Sequence, residues 1–267
     1  MNKTALDQYE EIVTDALKSY TVKLHKSFKT AFIQLMILYM ALLRKVNFTQ
    51  MGRYSDNSEQ RFRQLFEREF DWMQFNLFLM RQRFGESVRK AIAIDASYIS
   101  KSGKKTPYIG KFWSGCASVM KWGLEILGIG IVDIDRRDCM MLRAEQTPDK
   151  ACLEKQCEDY NLVDWYLDVL RKYKDKLLGI TRYVVADDWF SKAKFVGEAC
   201  LMEFHVISRL RDDAALWYSY NGVRTRKRGR PRIKGEKIDF EKLDLQRCEI
   251  LDIEGGRTYS IKAYSKA

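Results

Sequence analysis

The chain has 267 residues, 46% of them hydrophobic, which suits one large domain or a catalytic domain with smaller attachments and argues against wholesale disorder. A formal net charge of +11 favours a polyanionic partner, because each phosphate neutralised by Lys or Arg releases condensed counterions from nucleic acid. Six cysteines without a CxxC pair, only two histidines (His25 and His205) and a polar, acidic start, MNKTALDQYEEIV, leave little for a disulfide framework, a His-rich metal site, a Ser-His-Asp triad or a signal peptide.

From Leu6 to about Arg89 apolar residues recur at helical spacing, and no proline occurs before Pro107, so four or five helices are expected. The apolar run Ala31 to Leu43 is broken by Gln34 and flanked by Lys29 and Arg44, too short for a membrane span and suited to a buried helix. Asn47 to Ser55, a polar turn, and a helix from Glu59 to Glu69 opened by Ser58 as N-cap have the layout of a helix-turn-helix. Arg61, Arg63 and Arg68 lie exposed on its second helix, with Arg61 and Arg63 as candidate DNA contacts. A helical hairpin with a solvated charged face fits the same pattern.

Around Val88 the pattern changes to compact apolar runs. Ala91-Ile92-Ala93-Ile94-Asp95 reads as a buried strand ending in an acid, followed by a loop over Ser100 to Pro107. Two further strands are expected at about Trp113–Trp122 and Leu124–Ile134, turning at Gly123. A helical stretch from about Lys150 to Leu178 precedes the strand Tyr183-Val184-Val185-Ala186, which ends at Asp187. A helix from Ser191 to about Met202 and a strand from Phe204 to Leu210 complete the order β-β-β-α-β-α-β. Beyond it, Trp217, Tyr218 and Tyr220, a basic run and short alternating segments read as a β-rich insertion.

An Asp closing an apolar strand is costly near a core unless its charge is compensated, and a divalent metal is one such agent. Asp95 and Asp187 both do so, and a carboxylate pair is what two-metal phosphoryl transfer uses: hard oxygen ligands holding Mg²⁺ ions about 3.5–4 Å apart. Each Asp taken alone also fits a strand-end or turn residue. Gly128-Ile129-Gly130 has no third glycine or following helix, so a dinucleotide site is not expected.

The segments Ala93-Ile94-Asp95-Ala96-Ser97 with Ser102 to Thr106, Val185-Ala186-Asp187 with Trp189-Phe190-Ser191, Ile207 to Asp212, and Arg228-Gly229-Arg230-Pro231-Arg232, in that order, resemble insertion-sequence DDE transposases, in particular the insertion-sequence-4-like group. The resemblance implies an α/β fold with an RNase H-like core and mixed sheet, an all-helical N-terminal DNA-binding region (1–88), a catalytic core (89–211) and the β-rich insertion (212–267). It places the first two catalytic, metal-binding aspartates at Asp95 and Asp187, with Mg²⁺ or Mn²⁺ as cofactor. Asp188 competes for the second role; strand alternation lets only one of the two face the metals, and the family pattern selects Asp187. The family's third acid, a Glu on a helix after the insertion, is expected beyond Ala267. A DNA-binding regulator derived from a transposase is therefore the alternative to an active enzyme. Double-stranded DNA, a homodimer on that DNA, a bacterial cytoplasmic, nucleoid-associated setting and no membrane association are the further expectations.

The densest positive charge is Arg224 to Lys234. Its centre, Gly229-Arg230-Pro231, resembles an AT-hook, whose arginines enter a narrow minor groove. Arg226, Lys227, Arg228, Arg230 and Arg232 are accordingly candidate DNA contacts, with a solvated basic loop as the alternative.

Overall fold

A computed structural model of the chain describes residues 3–43, 46–85, 89–103, 105–155, 159–211, 214–223, 231–253 and 256–265. These fall into two compact units, Met1–Asp149 and Lys150–Ala267.

In the first unit the helical spacing becomes α1 (Ala5–Lys18), α2 (Lys26–Ala41), α3 (Phe48–Arg53), α4 (Glu59–Phe66) and α5 (Trp72–Phe84). Side chains set the starts. Thr4 and Asp7 form a capping box on α1, Asn47 accepts from the Gln50 N–H on α3, and Ser58 accepts from the Arg61 N–H on α4. His25 opens α2 as its N-cap, its Nδ1 accepting from the Ser27 N–H. α2 buries Phe28, Ala31, Phe32, Leu35 and Leu38, and Phe32 packs on Phe70, Trp72 and Phe75. Among the described residues no helix is long and apolar enough to cross a membrane. The α3-turn-α4 pair is tight: a Cβ on Gly52 would stand 2.8 Å from the Glu59 backbone nitrogen.

The strands of this unit differ from expectation in three ways. β1 (Lys90–Ser100) does not end at Asp95 but runs on, because Ser97 to Ser100 keep pairing with the antiparallel β3 (Val119–Asp133) as far as Gly123. The hairpin between β2 (Gly110–Ser114) and β3 turns at 115–118, where Ser118 has φ 50°, and not at Gly123. Gly123 lies inside β3, paired with Ser100 on one side and Gly110 on the other. A Cβ there would come within 2.4 Å of the Ile99 carbonyl oxygen, so glycine marks close strand approach rather than a turn. A fourth strand, β4 (Asp138–Gln146), continues the meander along the rest of β3 and was not anticipated. Its Met140-Met141 and polar ends hide the alternation. On β1 and β3 the buried side carries Ile92 and Ile94 against Ile131 and Ile129.

The helical region read from the sequence as 1–88 and the meander share one unit. Asn76 of α5 donates to the Leu142 carbonyl at 2.9 Å, and Arg83 pairs with Asp138 at 2.8 Å.

The second unit opens with α6 (Lys150–Glu154) and α7 (Leu162–Leu178), so the expected single helical stretch is divided. Asn161 and Asp164 form the capping box that restarts it. β5 (Tyr183–Ala186) and β6 (His205–Ser208) pair in parallel, with a 3₁₀ turn (Asp188–Ser191) and α8 (Ala193–Leu201) between them. The remainder is β-rich: β7 (Leu216–Ser219) lies between β8 (Lys234–Lys237) and β11 (Ala263–Ser265), and β9 (Glu249–Ile253) pairs with β10 (Gly256–Ser260).

Candidate active site

Asp95 sits mid-strand in β1, exposed, on the side opposite the one that buries Ile92 and Ile94. Its cross-strand partner is Gly128, whose own partner on β4 is Ala144. Two small residues therefore flank the carboxylate across the sheet, and Gly130 stands opposite Ala93 on the same side. The Asp95 side chain makes no hydrogen bond or ion pair to any described residue. An exposed carboxylate on a paired backbone, with no side chain opposite, is accessible to a cation or a phosphate-bound ligand. The Gly128–Gly130 pair was set aside as a nucleotide motif; its position opposite Asp95 emerges only from strand register.

Asp187 follows β5 directly, as expected, and its side chain accepts from the Trp189 N–H at 3.1 Å, capping the 3₁₀ turn. Its carbonyl accepts from Ser208 Oγ at 2.5 Å, which ties the ends of β5 and β6. The turn itself is clamped: Tyr166 of α7 packs on Trp189 and Phe190, both at 5.3 Å, and Phe190 on Phe195 at 5.1 Å. Asp188 is exposed too, but as the first residue of the turn, where its carbonyl accepts from Ser191 Oγ. Neither acid lies within the strand, so turn geometry, not strand alternation, separates their directions.

Cations gather in this part of the second unit. Lys192 Nζ lies 3.4 Å from the centroid of Trp189, and burial followed by the charge of Arg211 lowers its pKa from the usual lysine value. None of Trp189, Lys192 and Arg211 was given a role from sequence. The available signal was the place of Trp189 and Arg211 in two of the motifs; Lys192 lies just outside the first.

The other predicted contacts are placed less favourably. Arg61 donates to the carbonyl and hydroxyl of Ser27, and Arg63 pairs with Glu59 at 2.5 Å while stacking on Phe48 at 4.7 Å. Both are occupied in holding helices together. In the basic run, Arg226, Lys227, Arg228 and Arg230 lie outside the described residues. Arg232 donates to the Lys234 carbonyl and stacks on Tyr220 at 5.1 Å. Trp217 carries Lys234 at 4.9 Å, and buried Tyr218 accepts from the Asp244 N–H, so these aromatics pack within the insertion. Among the described residues no group of three His, Cys, Asp or Glu side chains is arranged to hold a metal. Asp95 and Asp187 still offer the exposed hard oxygen donors that Mg²⁺ or Mn²⁺ takes, usually from one or two carboxylates with water completing the shell.

The sequence profile of the family described as "DDE superfamily endonuclease" matches residues 34–254. The chain belongs to that family. As a DDE endonuclease it is an enzyme with an RNase H-like core. A search of solved structures pairs this DDE endonuclease with the Mos1 mariner paired-end complex with Mn, at 9% identity and a TM-score of 0.25, covering 78% of this chain and 69% of that one. No curated protein sequence matches it.

Proposed function

We propose that this chain is a DNA transposase that binds the ends of a mobile element as double-stranded DNA and cleaves and rejoins strands with a divalent cation, Mg²⁺ or Mn²⁺, held by Asp95 and Asp187. The observation that carries this reading is Asp95, an exposed carboxylate set on a rigid strand opposite a glycine in a chain of the DDE family. When bound, the cation lowers the pKa of a coordinated water and stabilises charge on the phosphodiester. Asp95 and Asp187 fix its position through backbones held by β3 and by the clamped 3₁₀ turn. Hydrolysis leaves a 3′-hydroxyl, which then attacks a target phosphodiester in the same site. Arg226, Lys227, Arg228, Arg230 and Arg232 hold DNA by its phosphates, and pairing of two ends is the work of a homodimer.

A DNA-binding regulator without cleavage is the second reading, favoured by the lack of a three-acid cluster among the described residues. A nicking assay on plasmid DNA carrying the flanks of the gene separates the two. With Mg²⁺ the wild-type chain nicks, and Asp95→Ala and Asp187→Ala lower the rate by at least about a thousandfold. Asp95→Cys is inactive with Mg²⁺ and partly restored by Mn²⁺, which accepts a softer ligand. Cleavage that survives Asp95→Ala would reject the site; binding without any cleavage would select the regulator.

A further inference from the structure

The β2–β3 hairpin carries a surface that the metal site does not use. Its register pairs Trp113 with Met120 and Lys111 with Trp122, and alternation along each strand puts all four side chains on one face. That face is open to solvent: Trp113 is 56% exposed, Met120 55% and Trp122 46%. The opposite face buries Phe112 and Ser114, which anchor the hairpin. Two tryptophans beside a methionine on a solvent-facing strand pair are costly to leave uncovered unless they meet a partner.

Charge indicates which partner. Residues 101–123 contain Lys101, Lys104, Lys105, Lys111 and Lys121 and no Asp or Glu. A polyanion with flat apolar faces satisfies both features. Lysines alone would serve duplex phosphates, but indole rings gain from stacking only when bases are out of the helix. The platform is also stiff. Trp122 Nε1 donates to the Gly103 carbonyl at 3.2 Å, Tyr98 donates to the Trp122 carbonyl at 2.7 Å, and Gly123 allows the close approach of β1.

We propose that the face formed by Lys111, Trp113, Met120 and Trp122 is a stacking platform for unpaired DNA bases, with Lys111 on the face and Lys101 and Lys105 of the loop bonded to Trp122 holding the phosphates. It shares DNA as partner with the proposed function but does not depend on the metal site. Strand cleavage and transfer pass through DNA with unpaired ends, so such a platform would favour opened DNA over intact duplex.

The test is fluorescence anisotropy without divalent cations, comparing a blunt duplex with the same duplex bearing a short unpaired tail. The wild-type chain binds the tailed DNA more tightly, by about tenfold for each stacked base. Trp113→Ala removes that preference while leaving blunt-duplex affinity unchanged, and Trp113→Phe retains part of it. Lys111→Gln weakens both complexes alike and lowers the salt dependence by about one phosphate equivalent, whereas Lys121→Gln, opposite Phe112 on the other face, changes neither. Equal wild-type affinity for the two DNAs, or loss on both from Trp113→Ala, overturns the platform. A Trp113→Ala change in oligomeric state without a change in tail preference also overturns it and assigns the face to a second copy of the chain. If neither DNA binds, the proposed function fails with it; if the blunt duplex binds as well as the tailed one, only the platform does.

Discussion

Gly128 puts no side chain of its own beside Asp95, and its replacement separates access from folding. A Cβ there would meet the flexible tip of Met141, at 3.3 Å, and the Asp95 carbonyl oxygen at an ordinary 3.6 Å, so the sheet accepts a side chain once Met141 shifts. Paired Cβ atoms on neighbouring strands stand about 4.5–5.5 Å apart, which puts any such side chain against the Asp95 carboxylate. Gly128→Val is therefore expected to lower nicking by at least about tenfold while the thermal melt shows a folded protein. Unchanged nicking would mean that the substrate does not approach from this side. The neighbouring acids invite a comparison: Asp187→Asn is expected to abolish nicking, whereas Asp188→Asn, at the first residue of the turn, leaves it largely intact. Equal losses would merge the two roles.

Among elements, the α3–α4 turn and the α7 N-terminus set measurable stabilities. Gly52→Ala forces a Cβ into the Glu59 backbone and is expected to cost about 1–3 kcal/mol in chemical denaturation, because the obstacle is main chain and not a movable side chain. At α7, burial raises the pKa of Asp164, but the Lys194 ammonium at 2.5 Å and the Asn161 N–H outweigh it and leave the carboxyl below its usual value. A carboxyl depressed in the folded state stabilises above its unfolded pKa of about 3.9, and that contribution disappears as pH falls through the folded value. Lys194→Met should cost about 0.5–1 kcal/mol at neutral pH and much less in strong acid, a difference that urea titrations at the two pH values would read. An equal cost at both would place the role of Lys194 in packing.

For the molecule as a whole, the net charge of +11 makes salt the decisive variable. Replacing Arg226, Arg228 and Arg230 by Gln is expected to lower the slope of log affinity against log salt by about three and to weaken binding to all duplexes similarly. A loss confined to A·T-rich DNA would instead assign the run to the minor groove. Arg61→Gln should act differently, since Arg61 braces the start of α2: stability falls more than DNA affinity does.

Local chemistry made much of this protein legible in its sequence. The cap Ser58 lies next to the helix it starts, the apolar runs before Asp95 and Asp187 are strands, and four motifs in order carry the family. Register and long-range pairing were not legible. That β1 continues past Asp95, that Gly123 is a crossing and not a turn, and that β4 exists all depend on what β3 pairs with, which no single segment encodes. The same holds for function: residue type and order named the two aspartates, while only the fold placed Gly128 beside Asp95, bound Asp187 into a clamped turn and lined up Trp113 and Trp122 on one exposed face. Side-chain chemistry is carried by each residue alone, but the open space around it is made by residues distant in the chain.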